Sequence, residues 1–168
     1  AKEKGDLTVA GCWAHARRRY EEAVKALPAK SRKSSLAWQA LEQINMIYHV
    51  DNTLKELTPE ERKKRRQDSV KPLVEAYFAW VKEKKKDGRI AEKSKTGKGL
   101  SYSLNQEEYL KVFLENGNVP LDNNAAERAI RNFCIGRKNW VIIDTIRGAQ
   151  SSAMIYSIAE TAKANHLK

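Results

Sequence analysis

Apolar residues recur at spacings of three and four along most of this chain, a periodicity typical of helices that bury one face. The clearest stripe precedes Pro28 and consists of Trp13, Ala16, Tyr20, Ala23, Val24 and Leu27. With 168 residues, of which 41% are hydrophobic, the chain has enough apolar material for one domain with a core. The pattern therefore predicts a mostly helical domain.

Two prolines mark where later helices begin or break. After a second predicted helix, from about Ser34 to Leu57, Thr58 can cap a third and Glu61 can close its capping box. Pro59 suits the first turn of that helix. Pro72 lies inside a continuing apolar stripe, so we expect it to kink or split the helix.

The remaining segments predict two short strands and three further helices, one of which begins within residues 122–124 and runs to about Phe133. Leu7–Cys12 and Trp140–Asp144 are short, contain β-branched residues and are candidate strands. Residues 82–98 form the most polar segment, and a helix is expected to open after it, at Asn105. The last predicted helix runs from Gly148 to about Asn165.

The charge balance favours a polyanionic partner. The 32 Lys and Arg exceed the 21 Asp and Glu, giving a formal net charge of +11. Each cation set against a phosphate releases a condensed counterion, which favours binding to nucleic acid. A basic surface without any partner fits the composition equally well.

Cysteine usage and hydropathy predict a cytoplasmic protein. The two cysteines, Cys12 and Cys134, lie far apart in the sequence, so a disulfide framework is not expected. No stretch approaches the roughly 18 apolar residues of a membrane span, so we expect no membrane partner.

The segment around Glu127 carries the strongest candidate for chemistry. On a helix, Asn123, Glu127 and Arg131 share one face, and oxygen ligands there would suit Mg²⁺. A structural interpretation fits the same spacing, because Asn124 with Glu127 matches a capping box and Glu127 with Arg131 matches a salt bridge. The spacing alone leaves both interpretations open.

Three segments resemble the insertion sequence 66 family of bacterial transposases, and they occur in the family's order. They are Gly11-Cys12-Trp13-Ala14-His15-Ala16-Arg17-Arg18, then Leu121-Asp122-Asn123-Asn124-Ala125-Ala126-Glu127-Arg128-Ala129-Ile130-Arg131 with Ile135-Gly136-Arg137-Lys138-Asn139-Trp140, and finally Glu160-Thr161-Ala162-Lys163-Ala164-Asn165. Residues 28–95 carry much less of the resemblance. Asn132 stands where the family pattern has a proline.

The resemblance implies the DDE type of transposase, in which two Asp and one Glu hold two divalent metals. Glu127 would be the third carboxylate, with Mg²⁺ or Mn²⁺ as cofactor in the intact enzyme. No aspartate before Cys12 stands in a matching context, so we predict that this chain alone is inactive and binds no metal tightly.

The resemblance also implies a fold. It predicts a mainly α chain that contains the C-terminal portion of a ribonuclease-H-like α/β catalytic domain, with one or two short strands. Residues 1–27 and 105–168 would belong to that domain, and residues 28–104 would form a helical insertion.

Basic residues near the motifs are candidate contacts to DNA phosphates. They are Arg17, Arg18, Arg128, Arg131, Arg137 and Lys138. His15, Asn123 and Asn124 are expected beside the catalytic pocket. Trp140 could stack on an unpaired base, although a core position would explain it as well.

Cys12-x-x-His15 also allows a zinc interpretation. Such a site needs two more ligands, which only Cys134 with His49 or His166 could supply. A structural histidine fits the same pattern.

The sequence therefore predicts a fragment of a DNA transposase. The intact enzyme would catalyse metal-dependent strand cleavage and transfer at insertion-sequence ends, with double-stranded DNA as partner and a homo-oligomer as the assembly. The alternative is a basic helical module that binds DNA or supports assembly without any enzymatic activity.

Overall fold

The structure, a computed structural model, describes residues 8–124, 127, 128, 130, 131 and 145–166. Its numbered helices are α1 (Trp13–Lys25), α2 (Leu36–Asn52), α3 (Pro59–Arg65), α4 (Lys71–Lys86), α5 (Lys95–Asn105), α6 (Glu107–Lys111) and α7 (Ile146–Ala164). Short 3₁₀ turns cover Ala29–Ser31 and Val112–Leu114, and a π-helical turn, Arg66–Val70, joins α3 to α4. The chain forms two compact units, residues 1–122 and 123–168.

The first unit is built around α1, which packs against α2 and α5, while α4 packs against the same two helices. Aromatic rings fill the centre of this core. The ring of Trp13 lies 5.5 Å from that of Tyr77, 6.0 Å from that of Phe78 and 6.3 Å from that of Phe113, measured between centroids. These tilted and edge-on contacts are the arrangements that aromatic pairs favour.

Three hydroxyl groups inside this core satisfy one another. Tyr77 donates to Tyr20 across 3.3 Å, and the hydroxyl of Ser103 lies 2.7 Å from that of Tyr77 and 3.1 Å from that of Tyr20. Burial raises the pKa of both tyrosines, so both remain protonated. Buried polar groups that are fully paired avoid the desolvation cost of an unmet hydrogen bond.

The early helices confirm the predicted periodicity and start signals. Trp13, Ala16, Tyr20 and Ala23 form the buried face of α1, as their spacing predicts. Thr58 caps α3 through a complete capping box with Glu61.

The predicted interruption near Pro72 is also confirmed. The π-helical turn Arg66–Val70 ends just before α4, in which Pro72 is the second residue. Proline lacks an N–H group, and its ring crowds the carbonyl four residues back, which here belongs to Asp68 within that turn.

Helix α5 is an element that the sequence did not predict. Its two buried glycines, Gly97 and Gly99, lower helix propensity, so the segment carries a weak helical signal. A Cβ atom at Gly99 would lie 2.8 Å from Cε1 of Tyr20, so the absent side chain is what lets α5 approach α1. Ser94 caps the helix by accepting a hydrogen bond from the Gly97 N–H group.

The prediction of a ribonuclease-H-like α/β portion is wrong. Every regular element in the described residues is helical, and Thr8–Cys12, the described part of the first predicted strand, pairs with no other strand there. The Gly11 N–H group of this segment donates instead to the carbonyl of Tyr109 in α6. The second predicted strand, Trp140–Asp144, lies outside the described residues.

The proposed boundaries of a helical insertion, residues 28–104, stay a prediction. The structure shows that α1, which precedes those boundaries, shares one core with α2, α4 and α5. Residues 1–122 therefore form one packed unit.

In the second unit, α7 begins at a Thr145 cap, whose hydroxyl accepts a hydrogen bond from the Gly148 N–H group across 3.0 Å. No residue of α7 is buried among the described residues, and its larger apolar side chains are 64–80% exposed: Ile146, Met154, Ile155 and Ile158. Within the described ranges, no helix has both the length and the apolar character needed to cross a membrane.

Candidate functional site

The first motif, Gly11–Arg18, is anchored to the backbone around Leu110. The Gly11 N–H group donates to the Tyr109 carbonyl across 2.8 Å, and the indole Nε1 of Trp13 donates to the Leu110 carbonyl across 2.8 Å. A Cβ atom at Gly11 would lie 2.9 Å from the Leu110 nitrogen. The glycine and the tryptophan of this motif therefore have packing roles, since the close approach tolerates no side chain at residue 11.

The same motif also holds the beginning of the Glu127 motif. The Trp13 N–H group donates to the Leu121 carbonyl across 3.2 Å, and the Leu121 side chain is buried in the core. One residue on, the Tyr48 hydroxyl donates to Oδ2 of Asp122 across 3.2 Å. These two hydrogen bonds form a junction between two motifs that lie more than a hundred positions apart in the sequence. Helix α2 takes part in the junction through Tyr48.

Tyr48 acts as a permanent hydrogen-bond donor in this junction. Its partial burial, together with the negative charge of Asp122, raises the pKa of Tyr48 far above its ordinary value. The hydroxyl therefore keeps its proton at neutral pH and serves as a donor. A pocket of about 170 Å³ adjoins the pair, and its lining includes Lys55, Arg62 and Pro120.

Glu127 lies at the start of a helical segment in the second unit. Its N–H group donates to the Asn123 carbonyl across 2.9 Å, and the described residues from Asn124 to Arg131 are helical. Asn123 therefore occupies the N-cap position, and Asn124 is the first helical residue. A capping box with Glu127 would need the N-cap at Asn124, one residue later.

The candidate phosphate contacts have different surroundings. Arg17 is half-buried and engaged, because it pairs with Glu21 at 3.0 Å and donates to Oδ1 of Asn45 at 2.9 Å. Arg18, Arg128 and Arg131 are exposed to solvent. Arg137 and Lys138 lie outside the described residues, as does Trp140.

His15 and Cys12 are both half-buried and adjoin the first turn of α1, where the His15 N–H group donates to the Cys12 carbonyl across 3.1 Å. Of the further ligands that zinc would need, Cys134 lies outside the described residues and His49 is exposed on α2. The zinc interpretation stays a prediction.

Sequence reasoning missed two participants in the junction, Tyr48 and Asp122. Tyr48 belongs to none of the motifs, and its partner lies 74 positions away. No local pattern could have paired these residues. For Asp122, membership of the motif was the only available signal.

A sequence model of the Transposase IS66 family matches residues 1–151. The chain belongs to this family. The match contains the first two motifs and the junction between them, so the family assignment made from the motifs is confirmed.

Three proteins of Sinorhizobium fredii (strain NBRC 101917 / NGR234) are similar to this member of the family. The uncharacterized protein y4hP is 32% identical over 96% of this chain, and y4qI is 29% identical over 95% of it. The uncharacterized protein y4jD is 27% identical over 96% of the chain. The chain spans only 28–30% of the length of these relatives. No solved structure matches it.

Proposed function

We propose that this chain is the part of an IS66 family transposase that supplies Glu127 to metal-dependent cleavage and strand transfer of DNA. The observation that carries this proposal is the junction of the two family motifs, Trp13 with Leu121 and Tyr48 with Asp122. It fixes the backbone immediately before the Glu127 helical segment. A carboxylate that must hold a metal in register needs such an anchored start.

The donor chemistry near Glu127 fits a hard divalent cation. Glu127, Asn123 and Asn124 all offer oxygen atoms, which are the ligands that Mg²⁺ and Mn²⁺ prefer. When bound, such a cation stabilises the charge that develops on phosphoryl oxygens during transfer. The role of Glu127 is to bind it and hold it in place.

The exposed arginines suit the DNA side of the reaction. Arg18, Arg128 and Arg131 carry no burial cost and can each approach a phosphate. Arg17 is a weaker candidate, because its guanidinium is already engaged by Glu21 and Asn45. We further propose that the isolated chain does not cleave DNA, since Glu127 alone cannot hold a pair of metals.

The experiment uses the protein expressed from the complete reading frame that contains this chain, incubated with Mg²⁺ and DNA carrying the element's ends. Glu127→Gln keeps the shape of the side chain and removes its charge. We expect its cleavage rate to fall by about a hundredfold or more, on the scale of other losses of transition-state stabilisation, with unchanged DNA affinity.

The matched control is Glu108→Gln, which makes the same chemical change at an exposed glutamate in the first turn of α6. It should cleave as the wild type does. Equal cleavage by both variants would remove the assignment of Glu127. A wild-type protein that binds the ends but never cleaves them would favour the non-enzymatic DNA-binding module instead.

A further inference from the structure

One face of α5 carries two lysines and a tyrosine in a row. Lys95, Lys98 and Tyr102 are spaced three and four residues apart, so they lie along one side of the helix. Both lysines are exposed and Tyr102 is half-buried. Leu100, on the opposite side of the helix, is buried in the core, while Tyr102 packs only partly against that core.

The neighbouring helix adds a third cation to this row. The Arg19 guanidinium of α1 lies 5.5 Å above the centre of the Tyr102 ring. A cation held over an aromatic face keeps its N–H groups available for other acceptors. Arg19 therefore differs from Arg17, two residues earlier, whose guanidinium is neutralised by Glu21.

We propose that this strip, Arg19, Lys95, Lys98 and Tyr102, binds the phosphate backbone of duplex DNA. The proposal rests on the proposed function, because it assumes that the protein acts on DNA, but all four residues belong to the first unit and none is in the Glu127 motif. The strip holds DNA and takes no part in the chemical step.

The dimensions of the strip suit a DNA backbone. Lys95 and Tyr102 lie seven positions apart on the α-helix, a rise of about 10 Å, which is roughly three times the axial rise per phosphate of one DNA strand. Tyr102 is a positioning residue here, because it orients the Arg19 guanidinium without contacting a phosphate itself. Glu22 is an exposed acid on α1, so the strip is predominantly rather than uniformly basic.

A second basic surface in the same unit supplies a matched control. Lys63, Lys64 and Arg65 are exposed on α3, and acids flank them in the sequence, namely Glu60, Glu61 and Asp68. A triple substitution to Gln on either surface removes three positive charges from the protein. Any difference between the two variants therefore reports where the DNA lies rather than the total charge.

The experiment measures duplex DNA affinity of the complete protein in EDTA, which prevents cleavage, across a series of salt concentrations. For Arg19→Gln/Lys95→Gln/Lys98→Gln we expect the slope of log K against log salt to become shallower by up to about 2.7, at about 0.9 for each lost phosphate contact. For Lys63→Gln/Lys64→Gln/Arg65→Gln we expect a change smaller than about 0.9, less than one contact.

The role of Tyr102 is tested by a pair of single substitutions. Tyr102→Phe keeps the ring under Arg19 and should bind DNA as the wild type does, whereas Tyr102→Ala should weaken binding severalfold. Combining Tyr102→Ala with Arg19→Gln should add little to Arg19→Gln alone, because both changes disable the same contact.

Equal slope changes in the two triple variants would overturn the proposal, since only the net charge would then matter. Wild-type behaviour of the strip variant would overturn it as well. Failure of the proposed function can be distinguished from failure of this proposal. The role of Glu127 is tested by the cleavage rate in Mg²⁺, whereas the role of the strip is tested by duplex DNA affinity in EDTA. A wild-type protein that binds no duplex DNA would overturn both.

Discussion

Two sets of basic residues in the first unit have opposite surroundings. The run Arg62-Lys63-Lys64-Arg65-Arg66 looks like a surface for a polyanion, yet its first and last members turn inward. Arg66 is only 2% exposed. The strip on α1 and α5 has no such run, and its cations face solvent.

Arg66 is saturated by partners within the protein. Its guanidinium forms a bidentate salt bridge with the Asp51 carboxylate, with N–O distances of 2.7 and 3.1 Å. Its Nη1 also donates to the carbonyls of Phe113, Asn116 and Val119. The guanidinium carbon also lies 4.9 Å from the centre of the Phe113 ring. This arginine ties α2 to the loop that leads to the Glu127 motif.

Arg62, one turn earlier, has a similar but more exposed role. Its guanidinium donates to the carbonyls of Leu54, Lys55, Leu57 and Gly117. The difference between the two regions shows that a count of charges does not identify a binding surface. Only the cations whose donors remain unused by the protein can bind a polyanion.

The strongest test of this comparison is Arg66→Ala. The change leaves the Asp51 carboxylate buried without its partner and removes the hydrogen-bond donor of three carbonyls. We therefore expect the free energy of unfolding to fall by about 3–5 kcal/mol. Urea unfolding followed by tryptophan fluorescence measures it, since Trp13, Trp38 and Trp80 all lie in the first unit. Arg65→Ala, at the adjacent exposed position, is the control and should unfold as the wild type does.

A smaller loss is expected for Arg62→Ala. Its four acceptors are backbone carbonyls at a partly exposed position, where water can replace some of the lost bonds, so we expect a loss of about 1–3 kcal/mol. The same urea titration measures it, with Lys63→Ala as control. A loss as large as that of Arg66→Ala would mean that burial does not separate the two arginines.

The smallest effect on stability should come from Arg19→Gln in the strip. Exposed substitutions of this kind rarely change stability, so we expect the melting temperature to stay within about 2 °C of the wild type. The variant should still bind DNA with a shallower salt dependence. A marked loss of stability would mean that Arg19 supports the fold, as Arg62 and Arg66 do, and that the comparison fails.

Much of the helical framework could be predicted because its signals are local. The stripe from Trp13 to Ala23, the capping box of Thr58 and the break before Pro72 each depend on residues a few positions apart. Helix α5 was missed because Gly97 and Gly99 argue against a helix until the close contact with Tyr20 is known.

The two strands and the ribonuclease-H-like fold were inferred from a family resemblance and from short β-branched segments. The structure contradicts that fold in the part of the chain that it describes. Short apolar segments are ambiguous, because a strand needs a partner strand and the sequence cannot show whether one is present. At Gly11 the backbone N–H group donates instead to the carbonyl of Tyr109 in helix α6.

By itself, the sequence determined the family, the helical character of the chain and the candidate carboxylate Glu127. Motifs and periodicity depend only on residues that are close together in the sequence. Only the tertiary structure decided three other features. It showed which cations face inward, that α5 packs closely against Tyr20 of α1, and that Tyr48 donates a hydrogen bond to Asp122. Those outcomes depend on contacts between residues far apart in the chain. Such contacts form only when packing brings the helices together, so no local pattern contains them.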